Sequence, residues 1–221
     1  MAVSIGNKTQ VNQTPASNFY QFTHNQNTGN DGLLVVSVVM TNTVSFTNAT
    51  YGGVAMSQVF VRNFGGLSQT TKLFVLENPN TGNNTFRINF TGNQFNPISV
   101  FVLSCTGAKA GGNIINLAGT SSPKNSNITV LDGSYIYSYC VSTSAILGIE
   151  IPNGNNRPAE YTHNTNRQVR GGLSASSFTA GTYNITHITS FTSVTMQTYE
   201  IQEKSVTPPV SGNDGDFFLM M

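Results

Sequence analysis

Tryptophan is absent from this sequence, and only 9% of its 221 residues are charged, against about a quarter in a typical soluble domain. Exposed helix faces are ordinarily filled with Glu, Lys, Arg and Ala, so this scarcity excludes long solvent-facing helices. The ten Lys and Arg and nine Asp and Glu leave a formal net charge of +1, without a basic cluster. Nucleic acid is therefore excluded as a partner, because phosphate binding needs concentrated positive charge. No apolar run approaches the ~20 residues that span a bilayer, so no membrane partner is expected. The opening MAVSIGNKTQVNQT is polar almost from its start and lacks the charged and apolar regions of a secretory signal, so secretion by a cleaved leader is not expected. Cysteine is sparse too. Cys105 and Cys140 each sit in an apolar strand-like run without metal-site spacing and read as small buried hydrophobes. A disulfide between them would need Cα atoms within ~7 Å and an oxidising compartment, neither of which the sequence supplies.

What is present points to β-structure. Asn, Thr and Ser make up about a third of the chain and Gly contributes 21 residues, a turn-rich composition. Thr, Val, Ile, Phe and Tyr suit a pleated surface. Residues 32–40, GLLVVSVVM, form a near-continuous apolar run of strand length and predict a central strand. Gly52 and Gly53 separate strand-like runs over 44–51 and 54–60 and can take the positive φ of a hairpin turn. Further strands are expected over 18–24, 71–77, 85–90, 98–105, 134–141, 145–151, 182–190 and 194–202, the last two as a hairpin or Greek-key pair. Ten or more short strands with turns about every ten residues predict an all-β antiparallel sandwich, jelly-roll or Greek-key like.

The expected organisation is a polar N-terminal arm over 1–17, one β-sandwich domain over 18–204, and a Pro/Gly-containing tail over 205–221. Pro208 and Pro209 stop the tail from continuing as a central strand. Its end, Phe217, Phe218, Leu219, Met220 and Met221, is apolar and has to be covered, either by its own domain or by a neighbouring chain.

Catalytic constellations are not evident. His24, His163 and His187 lie far apart without zinc-ligand spacing, and no Gly-x-Ser-x-Gly elbow occurs. A glycosidase needs two facing carboxylates; Glu77 and Glu150 have strong strand contexts, with Glu160 and Glu200 next, but nothing pairs them. Asp214 and Asp216 sit in a Gly-containing tail without the spacing of a rigid calcium loop. Asn-x-Ser/Thr triplets begin at Asn7, Asn12, Asn48, Asn83, Asn89, Asn127 and Asn184, about as many as this composition supplies by chance. No enzyme activity, metal or cofactor is expected. Tyr135, Tyr137 and Tyr139 share one strand face, a pattern that fits cross-strand packing or, as the alternative, stacking on a sugar.

The runs DGLLVVSVVMTN, ATYGGVAMSQV and TTKLFVLENPNTGNNTFRINF, followed by ISVFVLSCTGA, SNITVLDGSYIYSYCV, AGTYNIT and SVTMQTYEIQE, resemble β-sandwich modules of bacteriophage virion proteins. The likeness spans roughly residues 32–203 and rests on structural positions; the chain differs from the pattern in lacking Trp and in placing Glu77 before Asn78. The resemblance implies a non-enzymatic structural protein of head decoration, auxiliary or fibre type. Its expected partners are the major capsid protein or other virion proteins, and its expected place is the virion, in many copies, after assembly in the host bacterial cytoplasm. Phe217, Phe218, Leu219, Met220 and Met221 are the candidate attachment residues. The alternative is a carbohydrate-binding module of a phage fibre or surface protein, using the Tyr135, Tyr137, Tyr139 row.

Overall fold

A computed structural model of the chain describes residues 2–26, 31–41, 45–64, 69–119, 123–142, 146–152, 159–164, 167–189 and 194–204. The first half runs through β1 (Ser4–Gln13), β2 (Ser17–Gln26), β3 (Gly32–Thr41), β4 (Phe46–Tyr51), β5 (Val54–Ala55), β6 (Ser57–Phe64), β7 (Gln69–Glu77), β8 (Gly82–Gln94) and β9 (Ile98–Thr106). The second half runs through β10 (Ala108–Lys109), β11 (Ile114–Gly119), β12 (Lys124–Val130), β13 (Tyr135–Ser142), β14 (Ile146–Glu150), β15 (Ala159–Asn164), β16 (Arg167–Leu173), β17 (Gly181–Thr189) and β18 (Val194–Glu203). All pairings between them are antiparallel.

The halves share one topology. In the first, an inner sheet has the order β1-β9-β3-β7-β6 and an outer sheet β2-β8-β4-β5. In the second, the inner order is β10-β18-β13-β16-β15 with β11 also on β18, and the outer order is β12-β17-β14. Matching β1 to β11, β9 to β18, β3 to β13, β7 to β16 and β6 to β15 superposes the inner sheets in order. Matching β2, β8 and β4 to β12, β17 and β14 does the same for the outer ones. Each half alternates between its two sheets in the manner of a jelly roll.

Three apolar clusters join the four sheets into a stack. Leu34, Val36 and Val38 of β3 face Phe86 and Ile88 of β8 inside the first jelly roll, whereas Leu33, Val35 and Val39 face Tyr137, Tyr139 and Tyr199 of the second. Ile136, Cys140 and Met196 turn the other way, onto Ile128, Ile149 and Ile185. The central strands of the inner sheets, β3, β9, β13 and β18, are thus buried on both faces, which explains why β3 is apolar without alternation. The same clusters separate the cysteines: both are free and buried, Cys105 in the core between the jelly rolls and Cys140 in the core within the second. Burial pushes the Cys105 thiol up to about 12, so it is unreactive.

The structure differs from the sequence expectation at several places. Residues 4–13, expected within a polar arm, are β1, an edge strand in register with β9 from Lys8↔Leu103 to Gln13↔Ile98. Backbone pairing needs no apolar side chain, and a register shift between Ile5 and Lys8 turns Ile5 toward the core between the jelly rolls and Val11 toward the first. The single sandwich expected over 18–204 divides at Gly107, which has φ 63° and accepts from the Lys204 amide while donating to the Asp31 carbonyl. Only glycine takes that backbone without strain. The run over 54–60 is shared between sheets: Gly52 and Gly53, at φ 56° and 82°, turn β4 into β5, and the chain then crosses at Met56 into β6. β17 and β18 lie in different sheets, a Greek-key crossing and not a hairpin. The tail over 205–221, with Phe217 to Met221, lies outside the described residues, as do Asp214 and Asp216.

Candidate functional site

Each jelly roll brings a histidine of its outer sheet against a serine of its inner sheet. His24 Nε2 lies 2.8 Å from Ser104 Oγ, and His24 Nδ1 lies 2.7 Å from Thr9 Oγ1. Ser104 Oγ also donates to Gln26 Oε1 at 2.5 Å. A hydroxyl has one proton and an amide oxygen only accepts, so the imidazole proton sits on Nε2 and Thr9 donates to Nδ1. This is the reverse of a nucleophile's arrangement, in which serine must donate to the base. His187 Nε2 lies 3.0 Å from Ser138 Oγ, which donates to the Gln197 carbonyl at 3.0 Å and sits 2.8 Å from Thr198 Oγ1.

These four side chains are at most 1% exposed, so no substrate reaches them. Desolvation lowers His24 to about 4 and His187 to about 3. Both folded values lie below the unfolded value of about 6.5, so the neutral forms support the fold. Their contribution is complete above pH ~6.5 and is lost as pH falls toward the folded values. The His24 and His187 ring-proton resonances are expected to show no titration between pH 8 and pH 5.5 by NMR. A midpoint near 6.5 for either would contradict the sealed geometry.

Glu200, a candidate acid in the sequence, is fully buried. Its Oε1 accepts from the Leu131 amide at 2.6 Å and Ser134 Oγ at 2.8 Å, and its Oε2 from the Asn113 amide at 3.0 Å and Gln202 Nε2 at 3.1 Å. Burial by itself would raise its pKa, but the hydrogen bonds outweigh that and hold it below the ordinary carboxylate value. The group clamps the start of β11 and the β12–β13 turn onto β18. Glu77 instead joins the two jelly rolls, its Oε1 accepting from the Ala110 amide at 2.7 Å. Glu150 is exposed at the end of β14, in a different sheet from either. These three carboxylates form no facing pair. The side chains of Glu160 and His163 lie outside the described residues.

The tyrosine row corrects the sugar-stacking alternative. Tyr137 and Tyr139 are each 1% exposed, stacked with ring centroids 5.9 Å apart, and sealed between the inner sheets; Tyr135 is half-buried at the edge of that layer. Tyr139 donates to Gln197 Oε1, and Gln197 Nε2 donates to Thr71 Oγ1 at 2.7 Å, so the row belongs to a polar network between the jelly rolls. Desolvation raises both phenols well above 10. The odd-position alternation was legible in the sequence, but the sheet that covers it is built from strands more than 30 residues away.

The faces left to solvent are amide and hydroxyl ladders. On the first outer sheet Asn89 Nδ2 donates to Asn48 Oδ1 at 2.6 Å, and Arg87 Nε to Asn89 Oδ1 at 2.8 Å with its guanidinium 4.0 Å from the Phe19 ring centroid. On the second, Asn184 Nδ2 donates to Asn127 Oδ1 at 3.0 Å, Thr186 to Asn125 Oδ1 at 2.9 Å, and Thr129 and Thr182 meet at 2.9 Å. Among the described residues no three His, Cys, Asp or Glu side chains gather where a metal ion would sit, and no helix is long and apolar enough to cross a membrane. No family model matches the chain, and no curated protein and no solved structure matches it.

Proposed function

We propose that the chain is a non-enzymatic structural protein of a bacteriophage particle, bound at the capsid surface as an auxiliary or decoration subunit. One observation carries the reading: among the described residues His24, His187, Ser104, Ser138, Tyr137 and Tyr139 are enclosed in sealed layers, while the broad outer faces present Asn and Thr ladders almost without charge. Such faces pack against neighbours without like-charge repulsion. Jelly rolls recur in viral capsid proteins, a fold-level analogy that agrees with the sequence resemblance.

The partners are the major capsid protein or other virion proteins, and the attachment element is the apolar end Phe217 to Met221. Mass spectrometry of purified particles is expected to find this chain as a stoichiometric component. Deleting residues 217–221 is expected to leave the far-UV circular dichroism unchanged and cut incorporation at least tenfold. A particle inventory without the chain overturns the virion reading, and full occupancy by the truncated chain overturns the attachment role.

A further inference from the structure

The mouth of the first jelly roll holds a cation, Lys72, that has no partner of opposite charge among the described residues. A cavity of about 230 Å³ opens there between the end of β3, the entry to β4, and β6 with β7. Its floor includes Met40 and Lys72, which are 1% and 8% exposed, and its rim carries Ser45, Phe46 and Asn63. Lys72 Nζ donates to Gln58 Oε1 at 3.0 Å and lies 4.5 Å from the centroid of the Phe46 ring. Among the described residues no carboxylate pairs with it. An ammonium has three donors, and among the described residues one of them meets a protein acceptor, Gln58 Oε1.

The polar groups around Lys72 are also donors. Thr70 Oγ1 donates to Asn63 Oδ1 at 2.7 Å, which leaves the Asn63 amide hydrogens directed elsewhere, and the Ser45 hydroxyl lies on the same rim. A cavity lined by an ammonium together with an amide and a hydroxyl able to donate matches an anionic oxygen group. Burial holds Lys72 below the ordinary lysine value, the direction expected for a charge stripped of water without compensation. One lysine without an arginine fork suits a singly charged group better than a phosphate dianion. The volume is below the roughly 300–1,000 Å³ of drug-sized sites and fits a single small ring. The Phe46 ring is engaged by Lys72 and by Phe74 at 5.2 Å, so recognition rests on charge and hydrogen bonds and not on ring stacking.

We propose that this cavity binds the carboxylate of a small polar molecule, with Lys72 as the charge partner and Asn63 and Ser45 as hydrogen-bond donors. The carboxylate can come from an acidic sugar unit or from a simple organic acid, and the experiment separates the two. The intact protein is titrated with sodium glucuronate, sodium acetate and neutral glucose while backbone amide resonances are followed by NMR. Glucuronate is expected to shift Asn63, Thr70 and Lys72 saturably, more weakly as salt is added, and glucose to leave them in place. Binding of glucuronate at least tenfold tighter than acetate assigns the site to acidic sugars, whereas equal binding assigns it to small carboxylates in general.

Lys72→Met, which keeps the apolar stem, is expected to weaken binding at least tenfold. Asn63→Ala, on an exposed residue, is expected to weaken it severalfold and keeps the test valid should the Lys72 variant misfold. Absence of saturable shifts with glucuronate and acetate, or binding unchanged in the Asn63 variant and in a folded Lys72 variant, overturns the proposal. The titration is independent of particle incorporation, so this site and the assembly role fail or stand separately.

Discussion

Replacing Glu200 with alanine is expected to lower unfolding stability by about 3–5 kcal/mol, as for several buried donors left unpaired at once. The carboxylate satisfies two backbone amides, the Ser134 hydroxyl and the Gln202 side chain. Its removal leaves buried donors without acceptors, and each such group costs about 1–3 kcal/mol. Urea denaturation at pH 7 measures the loss, with Glu150→Ala, exposed on β14, as a comparison expected to stay within about 0.5 kcal/mol.

The difference also depends on pH in a definite direction. Glu200 has a folded pKa below its ordinary 4.5, so its contribution is complete above that value and is lost as pH falls through the folded one. The gap between wild type and Glu200→Ala is therefore expected to narrow below pH ~4.5. Equal stabilities at pH 7 would show that the carboxylate does not hold the β12–β13 turn.

Tyr139→Ala is expected to cost about 3–5 kcal/mol, as for other large buried rings cut to a methyl group. It empties space between the jelly rolls and strands Gln197 Oε1, which Tyr139 otherwise satisfies. Tyr139→Phe fills the space but removes the hydroxyl, and is expected to cost about 1–3 kcal/mol. Comparing the two by urea unfolding separates packing from the hydrogen bond. Wild-type stability in both would place the ring outside the interface. The sugar-stacking alternative instead requires a ring whose removal abolishes glycan binding and leaves the fold intact.

The same strand face shows how far local pattern reaches. Alternation placed Tyr137 and Tyr139 on one side of β13 and Ile136 and Cys140 on the other, and the structure keeps that division. What covers each side was not legible, because the cover comes from β3 and β7 for one and from β12 and β17 for the other. β18 is the sharper case. Its Gln197 and Glu200 are polar by type, yet both are within 1% of complete burial. Their partners, Thr71 for Gln197 and Asn113, Leu131 and Ser134 for Glu200, lie 66 to 126 residues away. Burying a polar group is costly unless it is hydrogen-bonded, and sequence order does not reveal those bonds. The cavity at Lys72 escaped for a like reason: a lysine within a strand gives no sign that its neighbours on β4 and β6 lack a carboxylate.

By itself the sequence determined an all-β chain. Low charge, abundant Asn, Thr and Gly, and short runs with a period of two are local properties, and they decide strand and turn within a few residues. It also determined residues 32–40 as a central strand, because an apolar run of that length bounded by turn residues suits the middle of a sheet. Only the tertiary structure decided that the strands form two like jelly rolls stacked through their inner sheets, that β1 is a strand and not an arm, and that histidine, serine and tyrosine groups are sealed inside. The physical reason is that strand pairing and layer stacking are set by contacts between distant segments. A side chain's chemistry therefore depends on neighbours that its own segment does not encode.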